Sequence, residues 1–291
     1  MVRVLKICAS MGVIIAVFYL TDLRSVVSYL RGADLAWLTL SAGCLSLLII
    51  LMAWRWQMIA RQMGFEMKIG PAIGEYYLSQ LVNQTLPGGV TGDAARAVRA
   101  RDRQSLALAA KSVVFERLIG QIIFSGLMCL ALGLALLFPG GIAWPQQTGW
   151  ILGAVAGLAL ITRYFYPDAM VFASLLQQSG IVTLSLVISF FLVLGFYASA
   201  RAIGAVLPLE ALFTLIPLVL TAMLIPLSIG GWGWREGAAA ALFPLAGVPS
   251  EAGVAAGITY GALMLLSSLP AFLWLAICAL RNRPIHVSRP L

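Results

Sequence analysis

Acidic and basic side chains are scarce in this sequence, and three groups of them stand beside glycine-rich turns or inside apolar runs. Asp93 and Arg96 follow the turn Leu86-Pro87-Gly88-Gly89-Val90-Thr91-Gly92. Arg235 and Glu236 follow Gly230-Gly231-Trp232-Gly233-Trp234, and Glu116-Arg117 lies at the entry of a long apolar stretch. Glycines just ahead of a helix leave backbone N–H groups exposed, and a helix N-terminus favours anions. With Arg96 one turn in, the first turn suits a phosphate. It is not a nucleotide-binding loop, because the GxxxxGK[ST] spacing is missing. The run from Asp93 to Arg103 reads as a helix with Thr91 or Asp93 as its N-cap, and Arg96, Arg99 and Arg103 share one face. The plainer reading of Arg99, Arg101 and Arg103 is anchorage of a juxtamembrane helix to anionic lipid.

Glu116 and Arg117 are costly inside an apolar segment, at ~2.5 kcal/mol or more each at a helix centre, and position near its entry lowers that cost. Neighbours on a helix do not face each other, so each needs a partner on another element. Arg96 or Arg235 are the candidates for Glu116, and Asp93 or Glu236 for Arg117. An ion pair that only fixes helix packing is the alternative to a functional role. Trp232 and Trp234 double as candidate interfacial anchors. The sequence holds one histidine, His286, and neither GxSxG nor HExxH, so metal chemistry and hydrolysis find no support. No cofactor or metal is expected. The carboxylates leave an integral membrane transferase open as a lesser alternative.

These residues need elements to position them, and composition says which. The chain of 291 residues is 61% hydrophobic and 10% charged, with a mean hydropathy of +0.97. Soluble chains average roughly 45–50% apolar and about 25% charged residues, and disorder needs low hydrophobicity. Four cysteines, each alone in an apolar block without CxxC spacing, make neither a disulfide scaffold nor a metal site. The net charge of +8 does not indicate nucleic acid, because the basic residues fall between hydrophobic blocks instead of striping one wet face. A polytopic, all-α membrane protein remains, read as one domain over 1–291.

A helix needs about 20 apolar residues to cross a ~30 Å hydrocarbon core. Candidate spans are 4–20, 35–54, 112–137, 147–166, 180–200 and 254–280. The first lacks a small-x-small cleavage site and is read as retained. Arg3 and Lys6, the basic stretch from Arg55 to Lys111, and the tail arginines 281, 283 and 289 all fall on one side in an N-in, C-in topology. Two regions fit neither loop nor span. Residues 71–92 begin at Pro71 and end in the Pro-Gly-Gly turn, and 211–249 are broken by Pro217, Pro226 and the Gly-Gly-Trp-Gly cluster. Each is either a short crossing or a re-entrant hairpin, so six spans rise to at most eight. Irregular backbone at membrane depth survives only where protein covers it or it lines a wet cavity, and its recurrence in both halves points to a binding site.

The run Asn83-Gln84-Thr85-Leu86-Pro87-Gly88-Gly89-Val90-Thr91-Gly92-Asp93-Ala94-Ala95-Arg96, then Glu116-Arg117-Leu118, then Pro226 to Glu236, resembles the lysylphosphatidylglycerol synthase transmembrane family. That family comprises flippase-like membrane domains related to the N-terminal part of bacterial multiple peptide resistance factor. The resemblance implies a helical inner-membrane domain of the bacterial envelope that moves a lipid with a phosphate-bearing or glycosylated head group between leaflets. It places Asp93, Arg96, Glu116, Arg117, Arg235 and Glu236 at the head group, with Gly88, Gly89, Gly230 and Gly231 shaping the two turns. Expected partners are membrane lipids with anionic or polyprenyl-linked head groups, and a lipid-synthesis enzyme. The chain ends soon after its last span, so the soluble aminoacyl-transferase domain of full-length synthases is not expected. It also reads Tyr260-Gly261 where many relatives carry an arginine. The alternative to transport is an accessory subunit, without catalysis, of a lipid or envelope synthesis system.

Overall fold

The computed structural model describes residues 22–86, 90–100, 105–137, 142, 144, 149, 153, 169–223 and 230–280. Within them every regular element is helical. The first helices are α1 (Leu23–Arg31), α2 (Leu35–Gln62), α3 (Ile69–Thr85), α4 (Thr91–Ala100) and α5 (Leu106–Leu137). There follow α6 (Ala169–Leu176), α7 (Ser179–Ala202), α8 (Leu209–Phe213), α9 (Leu215–Ala222) and α10 (Trp234–Leu242). A 3-10 turn (Phe243–Ala246) leads to α11 (Ser250–Ser267) and α12 (Pro270–Leu280).

Four stretches among the described residues are long and apolar enough to cross a membrane: Leu35–Gln62, Leu106–Leu137, Ser179–Ala202 and Ser250–Cys278. They correspond to four of the six expected spans. The expected span 4–20 lies outside the described residues, as does 147–166 apart from 149 and 153. Boundaries moved where hydropathy alone misjudged them. Helix α2 continues eight residues beyond the expected end at 54 and carries Arg55 inside it. Helix α5 starts at Leu106 instead of 112. The last span is two helices, broken at Ser268–Leu269 ahead of Pro270, which has no N–H to continue the ladder.

Both broken regions are helical on each side of the break. Helices α3 and α4 flank the turn whose Pro87, Gly88 and Gly89 lie outside the described residues, and α9 and α10 flank a second turn that includes Gly230 and Gly231. At 17 residues α3 extends only ~26 Å, just short of a ~30 Å core. Helices α8 and α9 are shorter still and are offset at Thr214.

Helix α2 is the hub, packing on α3, α5, α7 and α11. Its closest approach is to α7, through small residues: the Ser41 hydroxyl donates to the Gly195 carbonyl at 2.8 Å and lies 2.9 Å from Ser199 Oγ. Lipid tails are as apolar as a leucine side chain, so bilayer helices associate through close packing and interhelical hydrogen bonds, which small residues permit. Trp56 and Tyr76 sit in a buried cluster joining α2, α3, α4 and α5, where polar groups also gather.

The α3–α12 contact rests on one glycine. A Cβ built at Gly74 would overlap the indole ring of Trp274. Gly74→Ala is expected to lower stability by about 1–3 kcal/mol, as overpacked sites do. Trp274→Ala in the same background should recover most of that loss, read from thermal unfolding in detergent as a coupling energy.

Candidate functional site

The polar cluster is built from one side chain per helix around a carboxylate with no solvent access. Glu116 on α5 is fully buried. Arg55 from α2 reaches its Oε1 with Nη2 at 2.6 Å and with Nε at 3.2 Å. The Tyr76 hydroxyl from α3 lies 3.2 Å from both carboxylate oxygens. Arg96 from α4 approaches Oε2 with Nη2 at 3.4 Å. Arg55 Nη1 also donates to Ser185 Oγ on α7 at 3.2 Å, so five helices meet here.

Asp93 forms the second half of the cluster. Its carboxylate accepts from Ser79 Oγ (3.2 Å) and Asn83 Nδ2 (3.1 Å) on α3, from Arg96 Nη2 (2.9 Å), and from Arg117 Nη2 on α5 (2.5 Å). Burial opposes the charged form of Asp93, but the guanidiniums of Arg117 and Arg96 outweigh it and hold the carboxyl below its usual range. Asn83 completes the turn by accepting the Gly92 N–H at 2.7 Å. Gly92 is obligatory there, because a Cβ would run into the Ser79 carbonyl. Neither expected N-cap holds: α4 begins at Thr91, its Ala94 N–H bonds to the Val90 carbonyl, and Asp93 turns toward α3 and α5 instead of capping.

Arg96 is fully buried, with its guanidinium stacked 4.3 Å from the Trp56 ring centre and 4.2 Å from that of Tyr76. Only Nη2 meets carboxylates, and Nε and Nη1 have no acceptor among the described residues. Arg117 Nε and Thr91 Oγ are likewise buried without partners. Three guanidiniums thus share two carboxylates, with donor edges left over. An unpaired donor in a dry site costs about 1–3 kcal/mol and is relieved by an anion or by water.

The second hairpin repeats the chemistry with different wiring. Gly230, Gly231 and Gly233 have φ of 56°, 83° and 88°, a left-handed path that side chains resist, so this turn depends on glycine. Glu236 reaches back to the Gly233 N–H at 2.6 Å, half of a capping box. Its other oxygen takes Arg235 Nε at 2.9 Å and Nη2 at 2.5 Å. Arg235 lies 4.8 Å from the Trp232 ring centre, and its Nη1, Trp234 Nε1 and the Tyr260 hydroxyl are buried without partners among the described residues. Gly261 leaves the space that the Arg235 guanidinium occupies, and a side chain there would collide with it.

The hairpins meet at their turns. A Cβ on Gly230 would come within 2.5 Å of Gln84 Oε1 and 3.0 Å of Gln84 Cα, and Gln84 adjoins the Asn83 that holds Asp93. Gln84 Oε1 is itself buried without a donor.

Of the residues singled out from sequence, Asp93, Arg96, Glu116 and Arg117 form one network. Arg235 and Glu236 pair with each other, so the expected alternatives Arg235 for Glu116 and Glu236 for Arg117 do not form. Gly230 and Gly231 shape the second turn, while Gly88 and Gly89 lie outside the described residues. Arg55 and Tyr76 were missed. By hydropathy Arg55 reads as an orienting charge just past a span, although the buried Trp56, Ile59 and Ala60 continue α2 beyond it. Among the described residues no group of His, Cys, Asp and Glu is arranged to hold a metal ion.

The sequence from residue 3 to 271 matches the family model described as "Lysylphosphatidylglycerol synthase TM region". No curated protein matches the chain at a significant level.

Removing the Glu116 charge leaves Arg55 without a carboxylate and Arg96 with Asp93 alone. Glu116→Gln is expected to cost about 3–5 kcal/mol, as breaking a buried pair does. Glu75→Gln, which breaks the partly exposed pair with Arg99, should cost at most about 1 kcal/mol. Melting temperatures of both variants in one detergent check the ranking, and an Arg55→Gln/Glu116→Gln double variant should melt above Glu116→Gln alone.

Proposed function

From a chain that belongs to the lysylphosphatidylglycerol synthase transmembrane family, a family with a membrane lipid-related role, and from the arginine edges left without acceptors at its two broken hairpins, we propose that this protein translocates lipid between membrane leaflets. The lipid carries an anionic head group, phosphate-bearing or glycosylated. The observation that carries this reading is the set of buried donors Arg96 Nε and Nη1, Arg117 Nε and Arg235 Nη1, gathered where irregular backbone interrupts apolar helices. Guanidinium forks match phosphate oxygens in pairs and hold their charge at any physiological pH. Arg117, with about a third of its side chain accessible, is the entry contact, and Arg96 lies deeper.

In this reading the carboxylates are not acids or bases. Asp93, Glu116 and Glu236 keep the arginines from binding the head group too tightly, because an anion must displace part of an existing pair to enter and give it back to leave. No covalent step is required of the chain. We further infer six to eight crossings with both termini on the cytoplasmic face of the inner membrane, following the basic stretches. A lipid-synthesis enzyme delivers the lipid or takes it away.

Purified protein in liposomes with fluorescent phospholipid and glycolipid probes tests this, using reduction of outer-leaflet dye as the readout. Wild type should accelerate translocation of anionic over zwitterionic probes. Arg96→Gln and Arg117→Gln should each slow it by about tenfold or more, the ~1.4 kcal/mol or more of one lost charge-assisted contact. Unchanged rates in both variants and in Glu236→Ala would remove the assigned site. Acceleration of no lipid class would remove the function.

A further inference from the structure

We propose that Arg99 is a further anion contact of the α3–α4 region, held in reserve by Glu75, and that an incoming phosphate group takes it from that carboxylate. The proposal rests on the head-group reading above and adds to it a residue and an exchange step. In sequence Arg99 groups with Arg101 and Arg103 as an anchor to anionic lipid, and such an anchor keeps its guanidinium in water. Here the Arg99 side chain is only 19% accessible, and its Nη2 is buried without a partner among the described residues.

Its position continues the polar seam between α3 and α4. On α3, Glu75, Ser79 and Asn83 fall at i, i+4 and i+8 and share one face. On α4, Arg99 follows Arg96 at i+3, so the two are neighbours on the helix surface. The helices are joined in order along this seam. Asn83 accepts the Gly92 N–H, Ser79 and Asn83 donate to Asp93, and Arg99 donates to Glu75. Tyr76, next to Glu75, supplies a ring on which the Arg96 guanidinium stacks. Arg99 thus stands ~4.5 Å beyond Arg96 along the axis, toward the end of α4 at Ala100. Its partial exposure, against none for Arg96, matches that order.

The mode of pairing separates Arg99 from the arginines already committed to carboxylates. Arg55 sets both Nε and Nη2 on Glu116, and Arg235 sets both on Glu236. Arg99 gives Glu75 only Nε, at 2.5 Å, and Nη2 on the same edge is unused. A guanidinium edge presents two parallel N–H groups that phosphate or carboxylate oxygens take together. Glu75 therefore fills half of that edge, and a phosphate fills both halves. The pair is partly exposed, and pairs of that kind are weak. Once displaced, Glu75 returns to water, which the buried Asp93 and Glu116 do not reach. Exchange costs little at Arg99 and more at Arg96, so the seam offers an anion a loose contact one turn ahead of a tight one.

The ligand chemistry is a phosphate group, on a lipid or free in water, and the experiment compares the two sources. Dioctanoyl phosphatidic acid and inorganic phosphate are titrated separately into the intact protein in phosphatidylcholine nanodiscs, with Kd read by calorimetry. Arg99→Gln and Arg99→Lys should each weaken phosphatidic acid binding by about tenfold, the lysine because it keeps the charge and loses the edge. Glu75→Gln should tighten binding by about twofold to fivefold, because the competing carboxylate is gone. A pair that only holds α3 to α4 is broken by either change and would shift Kd in one direction, so the opposite signs carry the proposal. Glu66→Gln removes an exposed carboxylate ahead of α3 and should leave Kd unchanged, which separates exchange from net charge. Melting temperatures near that of wild type show that the variants are folded. Wild-type affinity in Arg99→Gln or Arg99→Lys would overturn the proposal, as would weaker binding by Glu75→Gln or equal tightening by Glu66→Gln. If Arg96→Gln still weakens binding in that case, the head-group reading stands. The expected pattern with inorganic phosphate, and no binding of phosphatidic acid, would keep Arg99 as an anion contact and remove the lipid reading. Failure of both to bind wild type would overturn both.

Discussion

The fully buried carboxylate of Glu116 is the constraint on which this structure turns. In an apolar helix such a group cannot be left alone, and the sequence brings three other helices to it: Arg55 from α2, Tyr76 from α3 and Arg96 from α4. Each contact replaces water that the bilayer interior does not supply. The consequence is positional. Helix α4 is only ten residues long and has no apolar length of its own to hold it, yet it is locked between α3 and α5 by Arg96 and Asp93. The α3–α4 hairpin thereby keeps an irregular turn inside the protein.

The second hairpin reaches the same composition by a different route. Asp93 ties its helix outward to two neighbours, whereas Glu236 folds back on its own helix start and on the adjacent Arg235. In both, the carboxylate is fully engaged and the arginine is not. This imbalance is the observation on which the proposed head-group role rests. A packing device would pair every buried donor, since an unpaired one destabilises the fold without benefit. The Gly230 turn packs against Gln84, next to the Asn83 that holds Asp93.

Along α5 the polar and apolar demands of an amphiphile are separated in order. The charged end meets α3 and α4, and the greasy end meets α7, α8 and α9. Helices α8 and α9 are shorter than a full span and line an apolar groove with α5 and α7. Interrupted helices border both the polar turns and the apolar groove.

Much of this was legible in residue order. A hydropathy pattern needs no tertiary information to mark helices that must lie in lipid, and the four apolar stretches of the described residues overlap the spans it marks, with their ends moved. Pro-Gly breaks and charges inside apolar runs carry their own energetic cost, so Asp93, Arg96, Glu116, Arg117, Arg235 and Glu236 stood out as residues needing an explanation. Pairing was not legible, because a helix surface offers several partners within reach of each long side chain and only the packing of α2 against α5 chooses among them. Arg55 shows why: at the edge of a hydropathy window it reads as an orienting charge, and only the continuation of α2 to Gln62 places it inside, against Glu116. Sequence alone determined that the chain lies in a bilayer and which residues do not belong to its apolar background. The tertiary structure decided which arginines keep free edges, since that depends on how many carboxylates the fold brings within reach of each.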